Sequence, residues 1–230
     1  MKTIGIIGGL SWPSTITYYS TINCLVSSKL GPDHCAELIL VQADFKEILH
    51  WIRTKEWELL GNKLLALAKH LESSGADFIV IACNTVHKAL PIIEDKISLP
   101  ILHIVDATLE KIRQLGLKRV GLIGSPLTMT DEYFAGRLTD HQVEVVTPSE
   151  EDQKIIHDAL KKEFVQGLFL PETRDRFKGV ISRLVEEGAQ AVILGCTEFG
   201  SLLKGEESPV LLIDTAIVHC EAAVSMMAIV

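Results

Sequence analysis

No apolar run in these 230 residues approaches the ~18–20 residues that a membrane-crossing helix needs, so no membrane partner is expected. The opening Met1-Lys2-Thr3-Ile4-Gly5-Ile6-Ile7-Gly8-Gly9 is short for a signal peptide and has no small-residue cleavage pattern. It reads as a first strand and turn, and the protein is expected in the cytoplasm. There is no CxxC, no Cys/His cluster, and an odd number of cysteines, five, at positions 24, 35, 83, 196 and 220. In a reducing compartment these are free thiols, so a special cysteine is there for chemistry rather than for cross-linking. Positive charge is also scarce. Lys and Arg number 22 against 30 Asp and Glu, a net charge of −8, which argues against nucleic acid as a partner. Gly5-Ile-Ile-Gly8-Gly9 lacks the GxGxxG spacing of a dinucleotide loop. No linker or low-complexity segment interrupts the chain.

What is present is alternation. Short apolar runs at 2–7, 37–42, 77–82, 101–105, 119–123, 142–146, 190–194 and 210–213 read as buried strands. Helical periodicity lies between most of them, as in 59–73 (Leu60, Leu64, Leu67, Leu71) and 175–187 (Phe177, Val180, Ile181, Leu184). Gly75 and Gly188 each follow such a helix and suit a left-handed cap. The pattern predicts an α/β fold built on mostly parallel sheets flanked by helices.

The chain also repeats itself. Lys2-Thr-Ile-Gly-Ile-Ile-Gly8 is similar to Lys118-Arg-Val-Gly-Leu-Ile-Gly124. The segment Leu71 to Thr85, with Gly75-Ala76 and Cys83-Asn84-Thr85, is similar to Leu184 to Glu198, with Gly188-Ala189 and Cys196-Thr197-Glu198. Pro100 to Asp106 is similar to Pro209 to Asp214. Three matches in the same order predict two pseudo-symmetric lobes, with residues 1–101 and 207–230 in an N-terminal lobe and 102–206 in a C-terminal one. In open α/β sheets ligands bind beyond the carboxyl ends of the strands. Cys83 and Cys196 lie there in equivalent places, so the active site is expected in the cleft between the lobes.

Two opposed thiols support one reaction directly. A thiolate removes a proton from one face of a carbon while a thiol returns one to the other face. Cysteine suits both roles because its reference pKa, ~8.5, falls at a helix N-terminus or beside a donor. Backbone N–H groups at Asn84-Thr85 and Thr197-Glu198 are expected to hold a substrate carboxylate and the charge that develops on proton removal. The turns Gly8-Gly9-Leu10-Ser11 and Gly124-Ser125-Pro126-Leu127-Thr128 add further backbone and hydroxyl donors.

The motifs Ile4-Gly-Ile-Ile-Gly-Gly9, Ala82-Cys83-Asn84-Thr85-Val86-His87 and Gly195-Cys196-Thr197-Glu198 resemble those of the aspartate/glutamate racemases. The wider superfamily includes hydantoin racemases, maleate isomerases and decarboxylases. The likeness runs over essentially the whole chain. It implies PLP-independent, cofactor-free racemisation of an acidic amino acid by two α/β lobes, usually as a homodimer and without a metal. It implies Cys83 and Cys196 as the acid/base pair. Asn84, Thr85, Ser125, Thr128 and Thr197 become substrate-binding candidates, joined by Gly9, Leu10, Ser11 and Glu198. Aspartate racemases carry a lysine shortly before the glycine matching Gly167, and here the stretch Lys161-Lys162-Glu163-Phe164-Val165-Gln166-Gly167 displaces it. The family carries an arginine in the region of Arg53, so the resemblance implies Arg53 as the cation on the side-chain carboxylate, with aspartate, glutamate or both as substrate.

Several residues keep two readings at this level. His87 either tunes the Cys83 thiolate or packs, and Glu198 either bonds near the Cys196 thiol or favours its helix dipole. Arg53 is a ligand or a surface charge. Cys83 with His87 has i, i+4 spacing but no third metal ligand. Cys24, Cys35 and Cys220 have no partner motif and read as structural. The alternatives are a hydantoin racemase, maleate isomerase or decarboxylase of the same superfamily, a one-cysteine hydrolase or decarboxylase on the same scaffold, and a non-catalytic amino-acid-binding module.

Overall fold

The computed structural model describes residues 1–228. It separates into two compact units. The first comprises Met1–Ala107 and the chain from Ala216 onward, the second Thr108–Thr215. These limits correct the expected ones. The expected N-terminal lobe includes the strand at 211–214, but that strand pairs with a second-unit strand, so the chain returns to the first unit only with the helix Thr215–Met226.

The first unit holds a parallel sheet of β1 (Ile4–Gly8), β2 (Leu38–Gln42), β3 (Phe78–Ile81) and β4 (Ile101–Leu102) in the order β2-β1-β3-β4. Side chains alternate across it, as a pleated strand requires. Ile79 and Ile81 of β3 pack with Leu60, Leu64, Leu67 and Leu71 of the helix Trp57–Ser73. Phe78 and Val80 pack on the other face with Tyr18, Ile22 and Val26 of the helix Trp12–Leu30, and with Ala216, Cys220, Ala223 and Val224 of the last helix. This second face explains the return of the chain. Without the last helix, Ile4, Ile6, Phe78 and Val80 would lose part of their apolar cover.

The second unit repeats the arrangement with β5 (Arg119–Gly124), β6 (Glu144–Val146), β7 (Ala191–Gly195) and β8 (Leu211–Asp214), all parallel, in the order β6-β5-β7-β8. All eight expected strands form, several shorter than their apolar runs. At 101–105 the strand stops at Leu102, because Ile104 already begins the helix Ile104–Gln114. The helices preceding β3 and β7 end alike. In one, the amides of Gly75 and Ala76 donate to the carbonyls of Glu72 and Leu71. In the other, those of Gly188 and Ala189 donate to Val185 and Leu184. Both glycines have positive φ, 89° and 92°, which is the left-handed cap their positions suggested. The repeat also extends to packing. A Cβ on Gly5 would lie 3.0 Å from Leu71 Cδ1, and one on Gly121 would lie 3.1 Å from Leu184 Cδ1.

Candidate active site

In each sheet the strand order turns back on itself between the first and third strands. The connection from β1 leads to β2 on one side, while β3 lies on the other. Beyond the carboxyl ends of such a strand pair a crevice opens, because the following loops diverge to opposite faces. In the first unit the loop Gly9-Leu10-Ser11 leaves β1 there and Cys83-Asn84-Thr85 leaves β3. The amide of Ala82 donates to the Ile7 carbonyl at 3.0 Å, holding the two ends side by side. In the second unit Ser125 leaves β5 and Cys196 leaves β7, where Gly124 is in register with Gly195. The structure thus gathers Gly9, Leu10, Ser11, Cys83, Asn84 and Thr85 at one switch point, and Ser125, Thr128, Cys196, Thr197 and Glu198 at the other.

The β1 loop is tightly tied. Gly9 N–H donates to Thr15 Oγ1 at 2.9 Å, and Thr15 Oγ1 donates to the Ser11 carbonyl. Ser11 has φ 115°, a region that costs a side-chain-bearing residue roughly 1–3 kcal/mol and is typical of functional turns. Leu10 is buried in the core beneath the loop.

Cys83 is half-buried. The segment after it forms a 3-10 helix, Thr85–Ile92, with Pro91 inside, rather than the expected regular helix start. His87 is buried and its Nδ1 donates to the Cys83 carbonyl at 2.8 Å. Asn84 is also buried.

Cys196, also half-buried, caps the short helix Thr197–Leu202. Its Sγ donates to Glu198 Oε2 at 2.9 Å, and the same oxygen accepts from Thr197 Oγ1 at 2.9 Å. One proton lies between the Cys196 sulfur and the Glu198 carboxylate in this contact. Glu198 bonds at the thiol and is also the acidic residue of the helix's first turn, so the two readings of it are compatible. Next to the end of β5, Ser125 caps the short helix Pro126–Thr130 by accepting from the Thr128 amide. The hydroxyls of Ser125, Thr128 and Tyr133 form a chain, with separations of 3.0 and 2.8 Å. Tyr133 was missed in the sequence. Its only signal is a hydroxyl eight positions after Ser125, on a neighbouring helix, Glu132–Thr139.

Arg53 belongs to a different element, the helix Phe45–Thr54, and is exposed in its last turn. Of the other cysteines, Cys220 is a core residue, whereas Cys24 and Cys35 are exposed. Among the described residues no group of three His, Cys, Asp or Glu is arranged to hold a metal ion, and no helix is long and apolar enough to cross a membrane.

A sequence profile of the Asp/Glu/hydantoin racemase family matches residues 7–223. The chain belongs to that family. Over 99% of its length this family member superposes on the crystal structure of a provisionally assigned Asp/Glu racemase from Yersinia pestis, with 38% identity, a TM-score of 0.92 and 99% of that chain covered. An aspartate racemase homologue from Pyrococcus horikoshii OT3 matches with 30% identity and a TM-score of 0.88, both chains covered in full. Among proteins of assigned activity, the broad-specificity amino-acid racemase RacX of Bacillus subtilis is 26% identical over 69% of this chain and 68% of its own. A glutamate racemase of Vibrio parahaemolyticus is 30% identical over 67% of this chain. The match spans 57% of that glutamate racemase's length. The relatives named as racemases are isomerases, and the two-sheet α/β architecture of the racemase-family chain is theirs.

Proposed function

We propose that the protein racemises an acidic amino acid, aspartate or glutamate, without a cofactor, using Cys83 and Cys196 as a two-base pair. The observation that carries this reading is the duplicated placement of the thiols. Each follows the third strand of a four-stranded parallel sheet, at the point where strand order reverses. In the resting enzyme Cys196 is the thiol, its proton held by Glu198, and Cys83 is the base. The Cys83 thiolate takes the Cα proton and becomes a thiol. Cys196 gives its proton to the opposite face of the same carbon and becomes a thiolate. The reverse reaction starts from the exchanged states. Asn84, Thr85, Ser125, Thr128, Thr197 and the Gly9-Leu10-Ser11 loop supply amide and hydroxyl donors for the substrate carboxylate and the developing charge. Arg53 is assigned to the side-chain carboxylate on charge alone, which requires its exposed guanidinium to turn toward the substrate.

The test is chiral chromatography of L- and D-aspartate and L- and D-glutamate with purified protein and no added cofactor. Interconversion of either pair is expected. Folded protein that turns over neither would sink the assignment. In Cys83→Ser, exchange of the Cα proton with solvent deuterium should survive for one enantiomer only, and in Cys196→Ser for the other. The likeness to RacX supports a second reading of the same chemistry, with a substrate range wider than the acidic amino acids. Turnover of neutral amino acids at rates equal to those for aspartate would favour it.

The same reading places the enzyme in the cytoplasm, where its five thiols stay reduced, and as a homodimer. Supporting the dimer is an apolar face of the first unit. Trp12, Ile16 and Tyr19 project on one side of their helix and border a cavity of about 270 Å³ together with Leu40 of the edge strand β2. Exposed apolar residues gathered on one face are a common mark of an interaction surface.

A further inference from the structure

Behind Cys83 the first unit gathers three histidines and a tyrosine that the racemase reading does not use, with His103 half-buried. His87 stands on the 3-10 helix after β3, His103 just after β4, His219 on the last helix and Tyr18 on the first. The ring centroids of His87 lie 4.8 Å from those of His103 and 5.8 Å from those of His219, both edge to face. His87, His219 and Tyr18 are all buried.

Their bonds fix where the protons are. A carbonyl only accepts, so His87 carries its proton on Nδ1, facing the Cys83 oxygen at 2.8 Å with the Asn84 oxygen at 3.2 Å. His219 carries its proton on Nε2, which donates to the Leu102 carbonyl at 2.9 Å, and so its Nδ1 accepts from Tyr18 OH at 2.8 Å. His103 accepts the Val105 amide at Nδ1, which leaves its proton on Nε2. The rings hold one tautomer each, set by backbone groups at Cys83-Asn84, Leu102 and Val105. Burial, and then the proximity of His87, lower the pKa of His219 to about 3, the bond to Leu102 opposing the shift. It is neutral at any working pH. A charge on His87 would be buried against two other rings.

We infer that His87 is a positioning residue for Cys83, clamping the carbonyl of the thiol-bearing residue so that the sulfur keeps one orientation through both directions of the reaction. The inference rests on the racemase reading. An imidazolium beside the sulfur would lock Cys83 as a thiolate, as a hydrolytic cysteine requires. A racemase cysteine must be a good acid as well as a good base. A neutral ring spent on the backbone carbonyl orients the residue without choosing between the two states. The cluster of His103, His219 and Tyr18 keeps that ring in place and, through the helix Trp12–Leu30, links Cys83 to the Gly9-Leu10-Ser11 loop that precedes it.

The test compares His87→Phe, which removes the donor, with His87→Asn, whose amide can reach the same carbonyl. In His87→Phe, kcat should fall about tenfold, the weight of one positioning hydrogen bond, with KM little changed. Deuterium exchange at Cα should fall for the enantiomer that Cys83 deprotonates and not for the other. His87→Asn should restore most of the loss. A structural role alone would weaken both enantiomers equally. Such an equal loss, wild-type kinetics in His87→Phe, or no rescue by asparagine would overturn the inference. A second measurement does not depend on turnover. Iodoacetamide labelling resolved by peptide mass spectrometry should show a changed rate at Cys83 in His87→Phe, restored in His87→Asn, and an unchanged rate at Cys196. Unaltered labelling of Cys83 overturns the clamp. If wild-type protein racemised no acidic amino acid, the racemase reading would fail while labelling still decided the clamp.

Discussion

The two cysteines occupy equivalent strand ends, yet their neighbours differ in kind. Cys196 donates to a carboxylate, and the carbonyl of Cys83 accepts from an imidazole. A thiol beside a carboxylate gives up its proton at the cost of placing two negative charges together. Glu198→Gln removes that charge and should raise thiolate at Cys196, speeding its alkylation at pH 7 by roughly tenfold while leaving Cys83 unaltered. Peptide-resolved labelling measures both at once, and an equal rise at the two sites would contradict the assignment. His219 gives a second expectation, in stability. Its pKa is near 3 when folded and near 6.5 when unfolded, so between these values the unfolded chain binds the extra proton. Stability should therefore be fully present above about pH 6.5 and fall as pH drops toward 3, by at most about 1.4 kcal/mol per pH unit from this group. Urea midpoints of wild type and His219→Gln at pH 7.5, 6.5, 5.5 and 4.5 give the difference. A wild-type curve no steeper than that of the variant would show that His219 is not the source. The cysteines, Asn84, Thr85, Thr197 and Glu198 were legible from their motifs. Tyr18, His103, His219 and Tyr133 were not, since isolated aromatic and imidazole rings carry no local pattern that announces contact with a residue tens of positions away.

Each helix that precedes a thiol-bearing strand ends on a left-handed glycine, and the two caps share their hydrogen bonds bond for bond. A Cβ on Gly75 would meet nothing within 4 Å, and one on Gly188 only the flexible Arg119 side chain. The penalty of alanine there is thus conformational, about 1 kcal/mol at each position. Because the two caps lie in separate units, Gly75→Ala and Gly188→Ala should add within roughly 0.5 kcal/mol in the double variant, as chemical denaturation would measure. A large departure would mean that the units do not unfold as the two caps imply. Strands and caps could be read locally because burial on both faces leaves a continuous apolar run and the cap leaves a glycine. The end of β4 at Leu102 could not, since Ile101 to Val105 is apolar whether it is strand or helix start. The 3-10 form after Cys83 was hidden for the same reason, and Pro91 alone marks it.

At the scale of the whole chain, the apolar face of Trp12, Ile16, Tyr19 and Leu40 is the surface on which the proposed homodimer depends. Replacing Trp12 and Ile16 together by glutamate should convert a two-chain mass in light scattering to a one-chain mass, with circular dichroism preserved. A wild-type protein that is already monomeric would remove the dimer from the proposal. The repeat, the α/β class and the placing of a thiol after the third strand of each sheet were determined by the sequence itself, because each is written in contiguous residues and copied twice in register. The return of the last helix to the first unit, the strand order β2-β1-β3-β4, and the convergence of Tyr18, His87, His103 and His219 behind Cys83 were decided only by tertiary structure. Those arrangements follow from which apolar faces cover one another and which buried donors find acceptors across long separations in the chain. No local pattern of residues encodes that choice.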